Sequence, residues 1–196
     1  MMTQLKTLIA VLSISLSVAV IAEPMPQEQS LLIDNFDNQQ QTSVGSDRLF
    51  ISDAAAGGGT KSNYEIKDGV IHLAGDIAPP RGQPGWSSMV LPLAEMGKGY
   101  DASNFSGVRL TVKVNKGNFS LSANSTEVAN FDYHAAPIVV KADGNFHTIE
   151  IPFDSMKRAW SAQTTLDKKT INSLSIVAFG LQKSAFDFDI DEVSFY

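Results

Sequence analysis

Val108, Leu110, Val112 and Val114 alternate with Arg109, Thr111 and Lys113, a period of two that a helix cannot use. A strand so built points its apolar side chains to one face and must bury them against a second layer. The pattern recurs at Phe119-Leu121-Ala123, Ile149-Ile151-Phe153 and Phe186-Phe188-Ile190. It is weaker at 31–36, 49–52, 63–67, 70–77, 86–93, 131–141 and 174–182. Lys67-Asp68-Gly69, Lys116-Gly117-Asn118 and Ala142-Asp143-Gly144-Asn145 separate several of these segments and are suited to tight hairpin turns. About ten short strands at this spacing predict an all-β sandwich or barrel. Helix is confined to single turns at 154–159 and 166–173, where Asp154 and Asp167 would serve as N-caps.

The first 22 residues read as a secretory leader. Lys6 gives the positive start, Leu8 to Val20 the apolar stretch, and Val20-Ile21-Ala22 the small residues before a cleavage site. The apolar stretch is shorter than the ~20 residues that span a bilayer, so a retained anchor is the weaker alternative. Residues 23–29, with Pro24 and Pro26, form an expected flexible tail, and 30–196 one domain. The mature chain is expected to be periplasmic or secreted, without a membrane span. An outer-membrane barrel would need longer strands and aromatic girdles, whereas the aromatics here are 9% and ungrouped. The chain has no cysteine, which removes disulfides, thiolate metal sites and Cys nucleophiles. With 15 basic and 21 acidic residues the net charge is −6, a poor basis for binding nucleic acid.

Catalytic motifs are scarce. Gly57-Gly58-Gly59-Thr60-Lys61-Ser62 has Thr60 where a phosphate loop requires glycine before lysine. His72, His134 and His147 form no metal-binding pair at close spacing, and no G-x-S-x-G or H-E-x-x-H occurs. Asp132 and His134 would share a strand face, either as an Asp–His couple or as two polar groups on a solvated surface. A carboxylate pair for glycoside hydrolysis depends on spatial separation and stays open. Asp187, Asp189 and Asp191 alternate with Phe186, Phe188 and Ile190. The apolar phase then slips to Val193, which predicts a bulge near Asp191-Glu192. If the first and last strands pair, Asp34 and Asp37 approach Asp191. Either a structural calcium ion sits among these three carboxylates or they form a solvated acidic face.

Sugar recognition asks for aromatic rings with a few polar groups around them. Trp86 opens a strand after the Pro79–Pro84 loop that carries Arg81, Tyr133 and His134 lie mid-strand, and Trp160 follows Lys157-Arg158. These five are the candidate ligand-binding residues, against the alternative that each tryptophan packs in the core.

Several segments together resemble a known family. They are Leu31-Leu32-Ile33-Asp34-Asn35-Phe36-Asp37, the Asp53 to Ser62 loop, Gly85-Trp86-Ser87-Ser88, the stretch from Tyr100 to Leu110, Ile151-Pro152-Phe153, and Phe188 to Phe195. This set is similar to the complex I intermediate-associated protein 30 family. The resemblance implies a galactose-binding-domain-like jelly-roll β-sandwich, a fold shared with carbohydrate-binding modules such as those of family 11. The sequence departs from the family's Asp-Gly-Val-Met-Gly-Gly loop at Ala54-Ala55-Ala56, and from its Gly-Gly-Phe segment at Pro84-Gly85-Trp86. Mitochondrial members assist complex I assembly, which an exported chain is not placed to do.

The expected function is therefore that of an exported, non-catalytic carbohydrate- or glycan-binding module. The alternative is a protein-interaction or assembly factor of the same family, with an envelope protein as partner. A carboxylate-driven hydrolase is a weaker third reading.

Overall fold

The computed structural model describes residues 29–196. The expected leader and nearly all of the expected tail lie outside these residues. In chain order the strands begin with β1 (Leu31–Asp34), β2 (Leu49–Ser52), β3 (Lys61–Lys67), β4 (Val70–Ile77), β5 (Gly85–Pro92) and β6 (Gly107–Lys116). They continue with β7 (Asn118–Ser125), β8 (His134–Ile138), β9 (His147–Pro152), β10 (Lys157–Arg158), β11 (Ile171–Gly180) and β12 (Ser184–Phe195). One sheet runs β3-β4-β12-β6-β9, with β1 beside β4 on the same edge of β12. The other runs β10-β8-β7-β11-β5-β2. Every pairing is antiparallel.

The alternation explains the layering. Val108, Leu110, Val112 and Val114 of β6 and Phe186, Phe188 and Ile190 of β12 turn inward from the first sheet. Met89 and Leu91 of β5, Phe119 and Leu121 of β7, and Leu174 and Ile176 of β11 meet them from the second. Phe119 and Phe188 close the gap with ring centroids 4.3 Å apart. First and last strands pair, Leu31 opposite Phe195. The β12 register shifts between Ile190 and Glu192, where the slip in apolar phase predicted a bulge.

Two segments differ from the sequence expectation. The helical turn expected over 154–159 is a 3-10 turn at Phe153–Ser155, followed by the extended pair Lys157–Arg158. Pro152, not Asp154, precedes that turn. The segment 166–173 holds only the 3-10 turn Lys168–Thr170, which Asp167 caps by accepting from the Lys169 N–H. Ile171 then enters β11 because its apolar side chain belongs to the core.

Candidate functional site

The outer faces of the two sheets differ in chemistry. On the first, charges neutralise one another: Arg109 pairs with Glu150 at 2.8 Å, and Asp189 accepts from Lys113 at 2.7 Å and contacts His72 at 2.8 Å. Burial pushes the Asp189 carboxyl up, but Lys113 and His72 reverse this and hold it below its ordinary value. A folded-state pKa below the unfolded one adds stability that is present at neutral pH and lost as pH falls below about 4. Asp189→Asn is therefore expected to flatten the fall in urea midpoint between pH 6 and pH 3. An unchanged slope would refute it.

The strands of the second sheet place one charge on its outer face, the exposed Lys157 on edge strand β10, opposite Ala135. Since Met89 and Leu91 face the core, Trp86, Ser88 and Val90 of β5 face outward. Strand register sets Ser88 beside Val177, Val177 beside Ser120, and Val90 beside Ser175, which neighbours Ser122. Ser88, Ser122 and Ser175 are only 5%, 1% and 6% exposed although they point outward. They form the floor of a trough. Asn124 bridges Ser173 and Ser175 with bonds of 2.9 and 2.8 Å. The buried Ser122 hydroxyl has no partner.

Aromatic side chains stand at both ends of this trough. At one end Trp86 lies directly opposite Phe179 across β5 and β11, and Phe179 is 39% exposed. At the other, Tyr133 and Trp160 meet edge to face with centroids 5.3 Å apart, and Trp160 is 61% exposed. Three strand spacings across and six residues along separate the two pairs, a diagonal of ~24 Å. A glycan of several pyranose units could bridge them.

Each end is held by a buried aspartate. Asp53 accepts from the Trp86 N–H at 3.1 Å, and from the Thr60 N–H and hydroxyl at 3.1 and 2.7 Å. A Cβ on Gly58 would lie 2.2 Å from the Asp53 Cγ, so that glycine is required by packing on this carboxylate, whereas Gly57 is required by its φ of 80°. Asp132 accepts from the N–H groups of Tyr133, Ala159, Trp160 and Ser161 and from Arg158 Nε at 2.8 Å. Burial raises its pKa, but the Arg158 guanidinium and the Tyr133 and Ser161 donors more than reverse that, holding it well below the usual carboxylate range. The Tyr133 hydroxyl is pushed up by burial and then by Asp132.

Among the expected ligand-binding residues, Trp86, Tyr133 and Trp160 thus sit at the ends of one trough. Arg81 is exposed on the loop between β4 and β5, four residues before Gly85 opens β5. His134 turns the other way. It lies opposite Ala123 of the core, is 2% exposed, and its Nε2 contacts the Thr164 carbonyl at 2.8 Å. The expected shared face for Asp132 and His134 does not form, because β8 starts at His134 and Phe131 has φ of 61°.

The three expected calcium ligands are placed apart in role. Asp34 is buried and gives both oxygens to Arg48, at 2.6 and 2.7 Å. Asp37 is exposed and accepts from Asn35 at 2.6 Å, and Asp191 is exposed at the β12 bulge. Among the described residues no three His, Asp or Glu side chains are grouped to hold a metal ion. The sequence reading missed Phe179 and the serine floor. Their signal was present, since Ser120 and Ser122 flank Leu121, and Ser173 and Ser175 flank Leu174, in strict alternation.

Comparison with known proteins follows from this geometry. The family model for complex I intermediate-associated protein 30 matches residues 35–191. The family 11 carbohydrate-binding module of the cellulosomal cellulase Lic26A-Cel5E of Clostridium thermocellum superposes with a TM-score of 0.63 at 19% identity, covering 86% of this chain and 95% of that one. The Clostridium thermocellum family 11 module in complex with a β-1,3-1,4-mixed-linked tetrasaccharide gives 0.60 at 19% identity, covering 85% and 94%. An agarase, AgWH50C, gives 0.57 at 8% identity, covering 85% of this chain and 24% of that one. No curated protein matches by sequence. These likenesses show the fold, the galactose-binding-like jelly-roll sandwich that the sequence led one to expect.

Proposed function

The chain belongs to the complex I intermediate-associated protein 30 family, and from that premise we propose that it is a non-catalytic carbohydrate-binding module that grips a glycan along the outer face of its second sheet. The observation that carries this reading is the pair of aromatic clusters at the two ends of a serine-floored trough. Rings offer flat apolar surface to pyranose faces, and the half-buried Ser120, Asn124 and Ser173 between them, rather than the buried floor serines, are the polar groups in reach of sugar hydroxyls. The family 11 module, built on the same fold, is described with a mixed-linked tetrasaccharide bound.

The carboxylates at the trough act as acceptors for backbone and guanidinium donors. Asp53 and Asp132 are buried beneath the aromatics, so neither is offered as a general acid to a bound sugar. With the leader at 1–22 removed, the module would work in the periplasm or outside the cell. Among the described residues no helix is long and apolar enough to cross a membrane. A second reading, an envelope-protein partner, rests on Leu49 and Ile51, each 50% exposed on edge strand β2.

A glycan-array and polysaccharide-pulldown screen of residues 23–196, with and without calcium, tests the proposal. Trp86→Ala and Trp160→Ala are each expected to raise the dissociation constant about tenfold or more, as loss of an aromatic anchor does. A requirement for calcium would put a metal back among the carboxylates. Absence of binding across the panel, from protein with an intact unfolding transition, would overturn the carbohydrate reading and favour the Leu49–Ile51 surface.

A further inference from the structure

Beyond the trough, at its Trp86–Phe179 end, lies an open cleft of about 610 Å³. Its walls are the loop between β4 and β5 and the turn between β11 and β12, brought side by side because Gly180 pairs with Gly85 and Ser184 with Ile77. Pro79, Pro80 and Pro84 stiffen the loop, and Gly82 at φ of 80° lets it turn back. Pro84 is two residues from Trp86 and Leu181 two from Phe179, so the cleft continues the line of the aromatic pair.

The cleft has a one-sided charge. Arg81 and Lys183 both line it, and no Asp or Glu does. On the first sheet's outer face Arg109 and Lys113 are matched with carboxylates, but Arg81 and Lys183 have no such partner among the described residues. Arginine and lysine side chains donate and never accept, which suits an oxyanion better than a sugar hydroxyl needing both roles. In a chain of net charge −6, two unmatched cations at the mouth of a groove form a local field that draws anions against the overall repulsion.

We propose that this cleft takes the anionic group of an acidic glycan, a carboxylate or sulfate held between Arg81 and Lys183 while the neighbouring sugar ring lies against Trp86 and Phe179. The inference rests on the carbohydrate reading and narrows it to chains bearing acidic sugars.

Calorimetric titration of the purified protein tests it with three probes: oligogalacturonate for carboxylate, a sulfated galactan oligosaccharide for sulfate, and a neutral mixed-linkage β-glucan oligosaccharide. At least one acidic probe should bind about tenfold tighter than the neutral one at low salt, and lose that margin at high salt as exposed charge pairs are screened. The exposed double substitution Arg81→Gln/Lys183→Gln should bring the affinity for the acidic probe down to that for the neutral one. Whichever acidic probe shows the margin identifies the anion. Neutral binding with no acidic margin, or a margin that survives the double substitution, would overturn the cleft assignment while leaving the carbohydrate reading intact. No binding by any probe would overturn both.

Discussion

Arg48→Met is expected to lower the free energy of unfolding by about 3–5 kcal/mol, the range for breaking one side of a buried ion pair. The Arg48 and Asp34 side chains are each 1% exposed. The guanidinium meets Asp34 through Nε and Nη2, and it also donates to the carbonyls of Asn38 and Gln41 at 2.8 Å each. It lies 5.1 Å from the centroid of the Phe36 ring. Every one of these contacts joins the end of β1 or the chain after it to the segment entering β2. Methionine fills much of the volume but leaves Asp34 as an unmatched buried charge and two carbonyls without a donor. The double substitution Arg48→Met/Asp34→Leu should be less damaging than Arg48→Met alone, because it removes both charges together. Urea unfolding of the two variants decides the matter. A loss under about 1 kcal/mol in the single variant, the scale of an exposed pair, would show that the pair is solvated.

Asp132→Ala should combine a stability loss of roughly 3–5 kcal/mol with loss of the binding surface at one end of the trough. The carboxylate gathers four backbone N–H groups and one guanidinium onto a single side chain. Alanine would leave the Trp160 and Ser161 N–H groups and Arg158 Nε without this acceptor. The segment 158–161 would keep the Ala159 N–H to Tyr133 carbonyl bond and the Asn130 contacts with Ser161 and Arg158, but lose the carboxylate that gathers it against 130–134. Tyr133 and Trp160 depend on that junction for their edge-to-face contact. Glycan affinity should therefore fall at least as far as in Trp160→Ala, although the tryptophan itself is retained. Retained affinity would show that the aromatic pair is positioned by other contacts.

The pH dependence gives an independent check. The folded-state pKa of Asp132 lies below the unfolded value, so its contribution is complete above about pH 4 and is lost as pH falls through the folded-state value. The stability gap between the unsubstituted protein and Asp132→Asn should be constant from pH 5 to 7 and should narrow in stronger acid. A gap that widened in acid would mean the carboxyl is protonated in the folded state.

Both predictions turn on aspartates whose roles were illegible in the chain. Asp34 read as a candidate cation ligand because Asp37 and the last strand are near. Its actual counter-charge is Arg48, fourteen positions away. Asp132 read as a companion to His134, but its partners come mainly from 158–161. A carboxylate looks the same in a sequence whether it meets a metal, a guanidinium or a row of amides. The candidate rings were named from aromatic type and, for Trp86, from position after a proline-rich loop, which are local signals. Phe179 went unnoticed because an aromatic beside Ile176 and Ala178 reads as core, although parity sets it outward with Ser175 and Val177.

What the sequence determined by itself is the period of two, and with it the strands, their inward and outward faces and the bulge in β12, because side-chain direction in a strand follows from parity alone. It also determined the tight turns, where Asp68 and Gly69 adopt φ of 53° and 75°. The tertiary structure decided which outward residues are neighbours. Trp86 lies opposite Phe179, the serines gather into one floor, and Arg81 and Lys183 line one cleft only once strand order and register are set. Pairing between strands far apart in the chain is chosen by how the whole core packs, and no local spacing encodes that choice.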